Sequence, residues 1–327
     1  ITANSIAPLN RSGDEEGCRW DGGAVSTPAG YREAYQLYAE GGWVGVGGDP
    51  AFGGMGMPKV ISAQVEEMMN SASLAFGLYP MLTSGACLSI YAHASEELKQ
   101  KYLPNMYAGV WSGSMCLTEP HAGTDLGIIR TKAEPQADGS YKVTGTKIFI
   151  SAGEHDLTEN IIHLVLAKLP DAPDSVKGIS LFLVPKFHVN DDGSLGARND
   201  VTLAGLLHKM GWRGTTSTAL NFGDNGECVG YLVGKPHAGL SYMFQMMNEA
   251  RIGVGMGAIM LGYAGYLYSL EYARQRPQGR QPDGKDPTSP QISIIEHTDV
   301  RRMLLTQKAY VEGAFDLGLY SARLVDD

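Results

Sequence analysis

The hydrophobic period changes twice along this chain. From Trp111 to about Val233 apolar and polar residues alternate, as in Tyr141-Lys142-Val143-Thr144-Gly145-Thr146-Lys147-Ile148-Phe149-Ile150, and on both sides the spacing is helical. Strand side chains alternate between two faces, whereas helical neighbours recur every three or four residues, so neither pattern fits the other structure. The chain reads as α+β. It divides into an N-terminal helical domain over 1–110, a central antiparallel β domain over 111–236, and the first two long helices of a C-terminal bundle over 237–327.

Each segment carries its own signals. Residues 1–30 are rich in Gly, Ser, Pro and Asp and read as an irregular arm with little core. A helix is expected from Tyr31 to Glu40, and a glycine-rich loop then runs to Pro58. That loop is not a nucleotide fingerprint: the register from Gly45 puts Pro50 where a glycine is needed, and no Gly-Lys-Ser/Thr follows. One helical run is expected from Lys59 to about Ala92, and a second starts at an N-cap serine, Ser95, and stops at Pro104. Further strands are expected at Ile161 to Ala167, Ile179 to Val184 and Ser217 to Phe222, with turns at Asp138-Gly139, Asp192-Gly193 and Asn225-Gly226. A helix from about Ala238 to Arg276 ends at Pro277, and another runs from about Ile294 to Leu324. Both are apolar on broad faces, so they call for partners from further chain or another subunit.

Composition excludes several classes. Lys+Arg 26 against Asp+Glu 35 gives a net charge of −9, the wrong sign for nucleic-acid binding. No apolar run reaches the roughly 18 residues of a membrane span, and no signal-peptide pattern opens the chain. The sequence begins at Ile1 without Met, so a start further upstream is expected. Cys18, Cys87, Cys116 and Cys228 are far apart, and none of the eight histidines pairs at i, i+4. Reduced thiols in a cytoplasmic protein and no metal site are the expectation.

At the first period change stands Cys116-Leu117-Thr118-Glu119-Pro120-His121-Ala122-Gly123-Thr124-Asp125. It reads as the end of a short strand, Met115 to Leu117, entering a tight turn. Pro120 fixes φ, Gly123 allows φ > 0, and such a turn exposes consecutive backbone N–H groups. Thr118 and Thr124 add hydroxyls. A ligand-holding loop and an ordinary strand-to-loop turn both satisfy these residues. The decapeptide also resembles the flavin-binding signature of acyl-CoA dehydrogenases. Lys147-Ile148-Phe149-Ile150-Ser151-Ala152-Gly153 resembles the second flavin block, at the family's spacing. The likeness runs from about Tyr31 to the last residue. It is strongest toward the longer branch similar to 3-methylmercaptopropionyl-CoA dehydrogenase, through Ser151-Ala152-Gly153-Glu154-His155-Asp156-Leu157 and Ile295-Glu296-His297-Thr298-Asp299, where Thr298 replaces the usual proline.

This resemblance implies FAD-dependent α,β-dehydrogenation of an acyl-CoA to the trans-2-enoyl-CoA, with an electron-transfer flavoprotein as acceptor, in a homodimer or homotetramer. An acyl-CoA oxidase shares the scaffold, and the −9 charge disfavours the nucleic-acid-binding relatives. Backbone groups of Met115 and Leu117, with the Thr118 hydroxyl, would hold the flavin pyrimidine edge, and Gly123 shapes the same turn. Phe149 stands for the usual tryptophan over the ring face, and Ser151 for the threonine that reaches N5. By strand alternation, Phe149 and Ser151 would share a face. Thr124 fits the position that holds the pantetheine arm. Asn248 and Arg251 match the substrate-contacting helix, with Arg251 expected as a buried cation. Arg276 and Gln278 match positions that reach the FAD of a neighbouring subunit. The catalytic base is expected beyond Asp327. The alternative position beside the arginine is Ala250, and Glu249 lies about 100° round the helix from it.

Overall fold

The structure, a computed structural model, describes residues 1–281 and 286–327. The N-terminal part is helical. A π-helical turn, Thr2–Ile6, leads into α1 (Leu9–Glu16), a small hairpin of β1 (Arg19–Trp20) and β2 (Val25–Ser26), and α2 (Tyr31–Glu40). The first thirty residues are therefore not an irregular arm. Ile6 is fully buried in the main core beside Tyr31 and Tyr35. Asp14 accepts the Arg213 backbone N–H at 3.0 Å, and Asp156 accepts from both the backbone and the hydroxyl of Thr27. The partners that order this segment lie far away in sequence, where local composition carries no sign of them.

The expected single helix from Lys59 is two, α3 (Lys59–Ala72) and α4 (Leu74–His93). Ser73 interrupts them in an extended conformation and caps α4 by accepting the Phe76 N–H at 3.3 Å. Helix α5 (Glu96–Tyr107) starts under the Ser95 cap as expected, but it runs through Pro104. Pro104 removes one donor, while burial of Tyr102, Leu103, Met106 and Tyr107 around it keeps the last turn in place. Helix α4 has the length and composition of a membrane span, which the sequence reading missed. However, 72% of its most apolar window is buried within the fold, as in a core helix.

The strands that follow are β3 (Trp111–Cys116), β4 (Lys132–Pro135), β5 (Tyr141–Ser151), β6 (Asn160–Lys168), β7 (Ile179–Pro185), β8 (Phe187–Val189), β9 (Leu195–Arg198), β10 (Val201–Leu206), β11 (Ser217–Phe222) and β12 (Val229–Val233). The large sheet has the order β10-β11-β5-β12-β7-β6-β3, with β4 against β5 and β6; β8 and β9 pair separately. It is mixed rather than purely antiparallel, because β3 runs parallel to β6 from Trp111↔Asn160 to Cys116↔Val165, and β4 touches β6 in the same sense. Alternation in the sequence reports which residues face inward and is silent on strand direction. Strands β6 and β7 are buried along almost their whole length.

Helices α6 (Gly239–Gln275) and α7 (Thr298–Asp326) close the chain, within a few residues of the limits expected from Pro236 and Pro277. The main core runs through all three segments, joining Ile6, Tyr79, Trp111, Leu164 and Met246. The end of α7 returns to the start of α3. There the Asp326 carboxylate accepts the Lys59 and Val60 N–H groups at 2.5 and 2.9 Å, satisfying donors that a helix N-terminus leaves open.

Candidate functional site

Strand β3 leaves the sheet after Cys116, and the chain turns at once. Glu119 and Ala122 exchange both backbone hydrogen bonds at 3.0 Å, closing a tight turn around Pro120 and His121. Gly123 does not use a positive φ, contrary to expectation. The reversal is made one step earlier, and a Cβ at Gly123 would meet nothing within 4 Å, so the glycine leaves an open face. Met115, Leu117 and Thr118 are half-buried at this corner, and Thr124 is exposed on the loop beyond.

The second block lands against the first. The Ile148 N–H donates to the Thr118 carbonyl at 2.9 Å. Phe149 then takes a left-handed φ of 57° and is 54% exposed. Its cause is a bulge: Ile150 pairs with Thr218 and Lys147 with Leu220, leaving two residues opposite one. Alternation therefore slips between Lys147 and Ile150, which are both buried; past the bulge it resumes, with Phe149 exposed and Ser151 half-buried on either side of Ile150. The Lys209 ammonium sits 4.4 Å from the Phe149 ring centroid, as in a cation–π contact. Ala152 also has a positive φ, of 53°, and donates its N–H to the Thr216 carbonyl at 3.0 Å.

Beneath these accessible groups lies a network that the sequence reading did not assign. The fully buried Lys147 donates to the Leu117 carbonyl at 3.0 Å and to Glu119 at 2.8 Å. Glu119, also buried, accepts from the Thr131 hydroxyl at 2.6 Å and from the backbone N–H groups of Thr131 and Arg130 at 3.0 and 2.7 Å. Burial pushes the Glu119 carboxyl up, but Lys147 and these donors outweigh it and hold the group below the usual carboxylate range. A signal for this pair was present, since alternation puts Lys147 in the same inward register as Val143, where a lysine needs a partner.

These residues could hold a flat ring with heteroatoms on one edge. Among the described residues, the hydroxyls of Thr118, Thr124 and Ser151 have no hydrogen-bond partner in the chain, and the buried Thr216 hydroxyl has none either. The turn offers backbone, Phe149 offers an aromatic face, and Ser151 offers a hydroxyl beside it.

Of the other expected residues, Asn248, Glu249 and Arg251 lie on α6 and Arg276 and Gln278 just past its end; among the described residues none hydrogen-bonds to this corner. Arg251 is exposed, not buried. It donates to Asn248 at 2.6 Å and lies over the Phe244 ring at 5.3 Å. Its apolar neighbour Val254 is exposed as well, because α3, α4 and α7 cover only part of the α6 circumference. Glu249 points to α3, where Lys59 bridges it to Glu66. Burial raises the Glu66 carboxyl, with Lys59 opposing. Arg276 and Gln278 stand at the far end of α6, about 55 Å from its start at 1.5 Å per residue. There Arg276 donates to the Pro277 carbonyl at 2.8 Å, and its side chain approaches Gln278 at 3.4 Å.

Two sequence profiles match the chain. The one described as acyl-CoA dehydrogenase, N-terminal domain, covers residues 5–110, and the one described as acyl-CoA dehydrogenase, middle domain, covers 114–225 and so takes in both blocks. The chain belongs to the acyl-CoA dehydrogenase family. Among curated relatives, 3-methylmercaptopropionyl-CoA dehydrogenase of Ruegeria pomeroyi is 45% identical over 98% of this chain and 54% of its own length. A butyryl-CoA dehydrogenase of Syntrophomonas wolfei is 44% identical over 100% of this chain and 54% of its own. The chain thus spans about half the length of the curated relatives it matches. The solved butyryl-CoA dehydrogenase of Megasphaera elsdenii shares the fold, with a TM-score of 0.79 at 21% identity over 99% of this chain and 76% of that one. This family membership accounts for helices, sheet and long helices in that order.

Proposed function

We propose that this chain binds FAD where the end of β3 meets β5, and takes part in α,β-dehydrogenation of an acyl-CoA thioester with an electron-transfer flavoprotein as acceptor. The observation that carries the reading is the direct joining of the two blocks at Thr118 and Ile148, with Phe149 and Ser151 left accessible beside that joint. The family profile over both blocks supports it. So do relatives named as acyl-CoA dehydrogenases at 41–45% identity.

In this reading the backbone at Met115 and Leu117, with the Thr118 hydroxyl, holds the pyrimidine edge of the ring, and Gly123 keeps the approach open. Phe149 covers one face of the ring. Ser151 donates at the edge that gains charge, where a fixed donor stabilises the product of the transfer. The bound flavin would supply the hydride-accepting ring; the protein orients it. Thr124, Asn248 and Arg251 engage the acyl-CoA, and Arg276 with Gln278 reaches the FAD of a neighbouring subunit in a homodimer or homotetramer. Glu249, tied to Lys59, is not put forward as the base.

The test is anaerobic. Protein reconstituted with FAD is mixed with short and medium acyl-CoA thioesters, and flavin bleaching and enoyl-CoA formation are followed. Bleaching that is reversed by an electron-transfer flavoprotein and only slowly by oxygen supports the reading. Fast reoxidation by oxygen would assign an oxidase instead, and protein that takes up no FAD would overturn the proposal.

A further inference from the structure

We propose that Lys147, anchored by Glu119, is the positioning residue that sets the orientation of the Leu117–Thr118 peptide and so aims its N–H at the bound ring. This inference rests on the FAD site proposed above.

Two consecutive carbonyls of the turn are held by two consecutive residues of β5. The Lys147 ammonium takes the Leu117 carbonyl at 3.0 Å, and the Ile148 N–H takes the Thr118 carbonyl at 2.9 Å. A trans peptide is planar, with its C=O and N–H pointing in opposite directions. Holding the Leu117 carbonyl inward against Lys147 therefore turns the Thr118 N–H outward. That N–H has no partner in the chain among the described residues. The ammonium cannot swing away, because Glu119 holds it from the other side at 2.8 Å. Glu119 is in turn fixed by three donors from Arg130 and Thr131. The strut thus joins one residue of each block to the loop that follows the first block. A lysine sealed at 0% exposure is an expensive way to brace a strand, since burial disfavours its charge unless a partner compensates. An apolar side chain at the same inward position would complete the core equally well, but it could not hold a carbonyl.

The pair Lys186 and Glu154 provides a control. It is also a buried ion pair of the β domain, though Glu154 additionally takes the half-exposed Arg198 guanidinium at 2.8 Å, and among the described residues its hydrogen bonds do not reach the Leu117–Thr118 peptide. The experiment compares wild type with Lys147→Met, Lys147→Met/Glu119→Gln and Lys186→Met/Glu154→Gln. It reads thermal midpoint, FAD affinity by flavin fluorescence, and the reduction potential of the bound flavin by dye equilibration.

The Lys147→Met/Glu119→Gln protein leaves no charge unpaired, so its folding is expected to recover relative to Lys147→Met. Its FAD affinity is expected to stay at least tenfold weaker than wild type and its flavin potential lower, while the Lys186→Met/Glu154→Gln control keeps both near wild type. A double variant that binds FAD with wild-type affinity and potential would overturn the inference and leave the pair a structural brace. If neither Lys147 variant folds, Thr131→Val takes over, as it removes one hydrogen bond to Glu119 and no charge. It is expected to weaken FAD by two- to threefold, and unchanged binding would overturn the inference equally. Wild type that takes up no FAD would instead sink the functional proposal.

Discussion

Strand β6 and helix α7 are both rich in apolar residues, and the fold treats them in opposite ways. All but the last residue of β6 are buried, between β3 and β7 and under the helices. Helix α7 is 29 residues long and buries only Leu304 and Ala322, with Met303, Leu305, Tyr310, Leu317, Tyr320 and Leu324 exposed. A strand within a sheet has neighbours on both edges and packs on both faces. A helix that packs along one antiparallel partner, and meets α3 besides, covers one stripe and leaves the rest to water. The β strands are therefore covered within this chain, partly by one another and partly by the helices that share the main core, whereas the α6–α7 pair presents an apolar surface that a globular protein ordinarily covers.

The largest expected contrast is in stability. Phe182 is fully buried in β7, and Phe182→Ala should cost about 3–5 kcal/mol in chemical denaturation. Leu305→Ala, on the exposed side of α7, should change stability by no more than about 0.5 kcal/mol. Equal effects would erase the distinction between the two regions.

A functional counterpart comes next. Ser151→Ala should slow anaerobic flavin reduction about ten- to a hundredfold, the value of roughly 1.5–3 kcal/mol for a hydrogen bond to a group gaining charge. FAD should remain bound, and an unchanged rate in stopped flow would make Ser151 a strand residue only. A helix-pair substitution such as Tyr310→Ala should leave the rate alone.

The β domain should also carry the acid sensitivity. His155 and His163 are completely buried, and burial lowers both to about 3. Unfolded, they protonate near 6.5, so between about pH 6.5 and 3 the unfolded chain binds more protons and stability falls with pH. Their contribution is full above pH 6.5. The pair should cost about 2 kcal/mol between pH 6.5 and 5.5. Replacing both by asparagine or glutamine should flatten that slope, and an undiminished slope would assign the acid loss elsewhere.

The smallest effect concerns the open helices. Sedimentation should show association that depends on concentration, and Leu317→Lys should weaken it by tenfold or more, about 1.4 kcal/mol. A wild-type monomer at every concentration would remove the need for a covering partner.

The regions also differ in how far the sequence reveals them. Helix α6 was legible within about a residue, because Pro236 and Pro277 mark its limits, whereas α7 begins four residues after the expected Ile294, beyond a 3-10 turn. The exposure of Arg251 was not legible, since flanking apolar residues suggest burial whether or not a partner helix is present. In the β domain the strands were legible and their directions were not. The break at Ser73 hid inside an unbroken apolar period. At the site, both blocks stood out by their resemblance to the family's flavin signatures, whereas residue types alone left an ordinary strand-to-loop turn equally open. The bulge at Phe149 depends on pairing with β11, about seventy residues on, and the Glu119–Ala122 turn on a local choice between two equally permissive positions. Alternation marks Lys147 as inward and in need of a partner, but not that Glu119 supplies it from 28 residues away.

The central claim is that the turn after β3 and the end of β5 form one flavin-binding surface. Backbone hydrogen exchange, measured on the protein with and without FAD, tests it most directly. The account predicts that FAD slows exchange at 117–124 and at 148–152 together, with exchange along α7 unchanged. Protection confined to one of the two segments, or absent from both while FAD is bound, would contradict it.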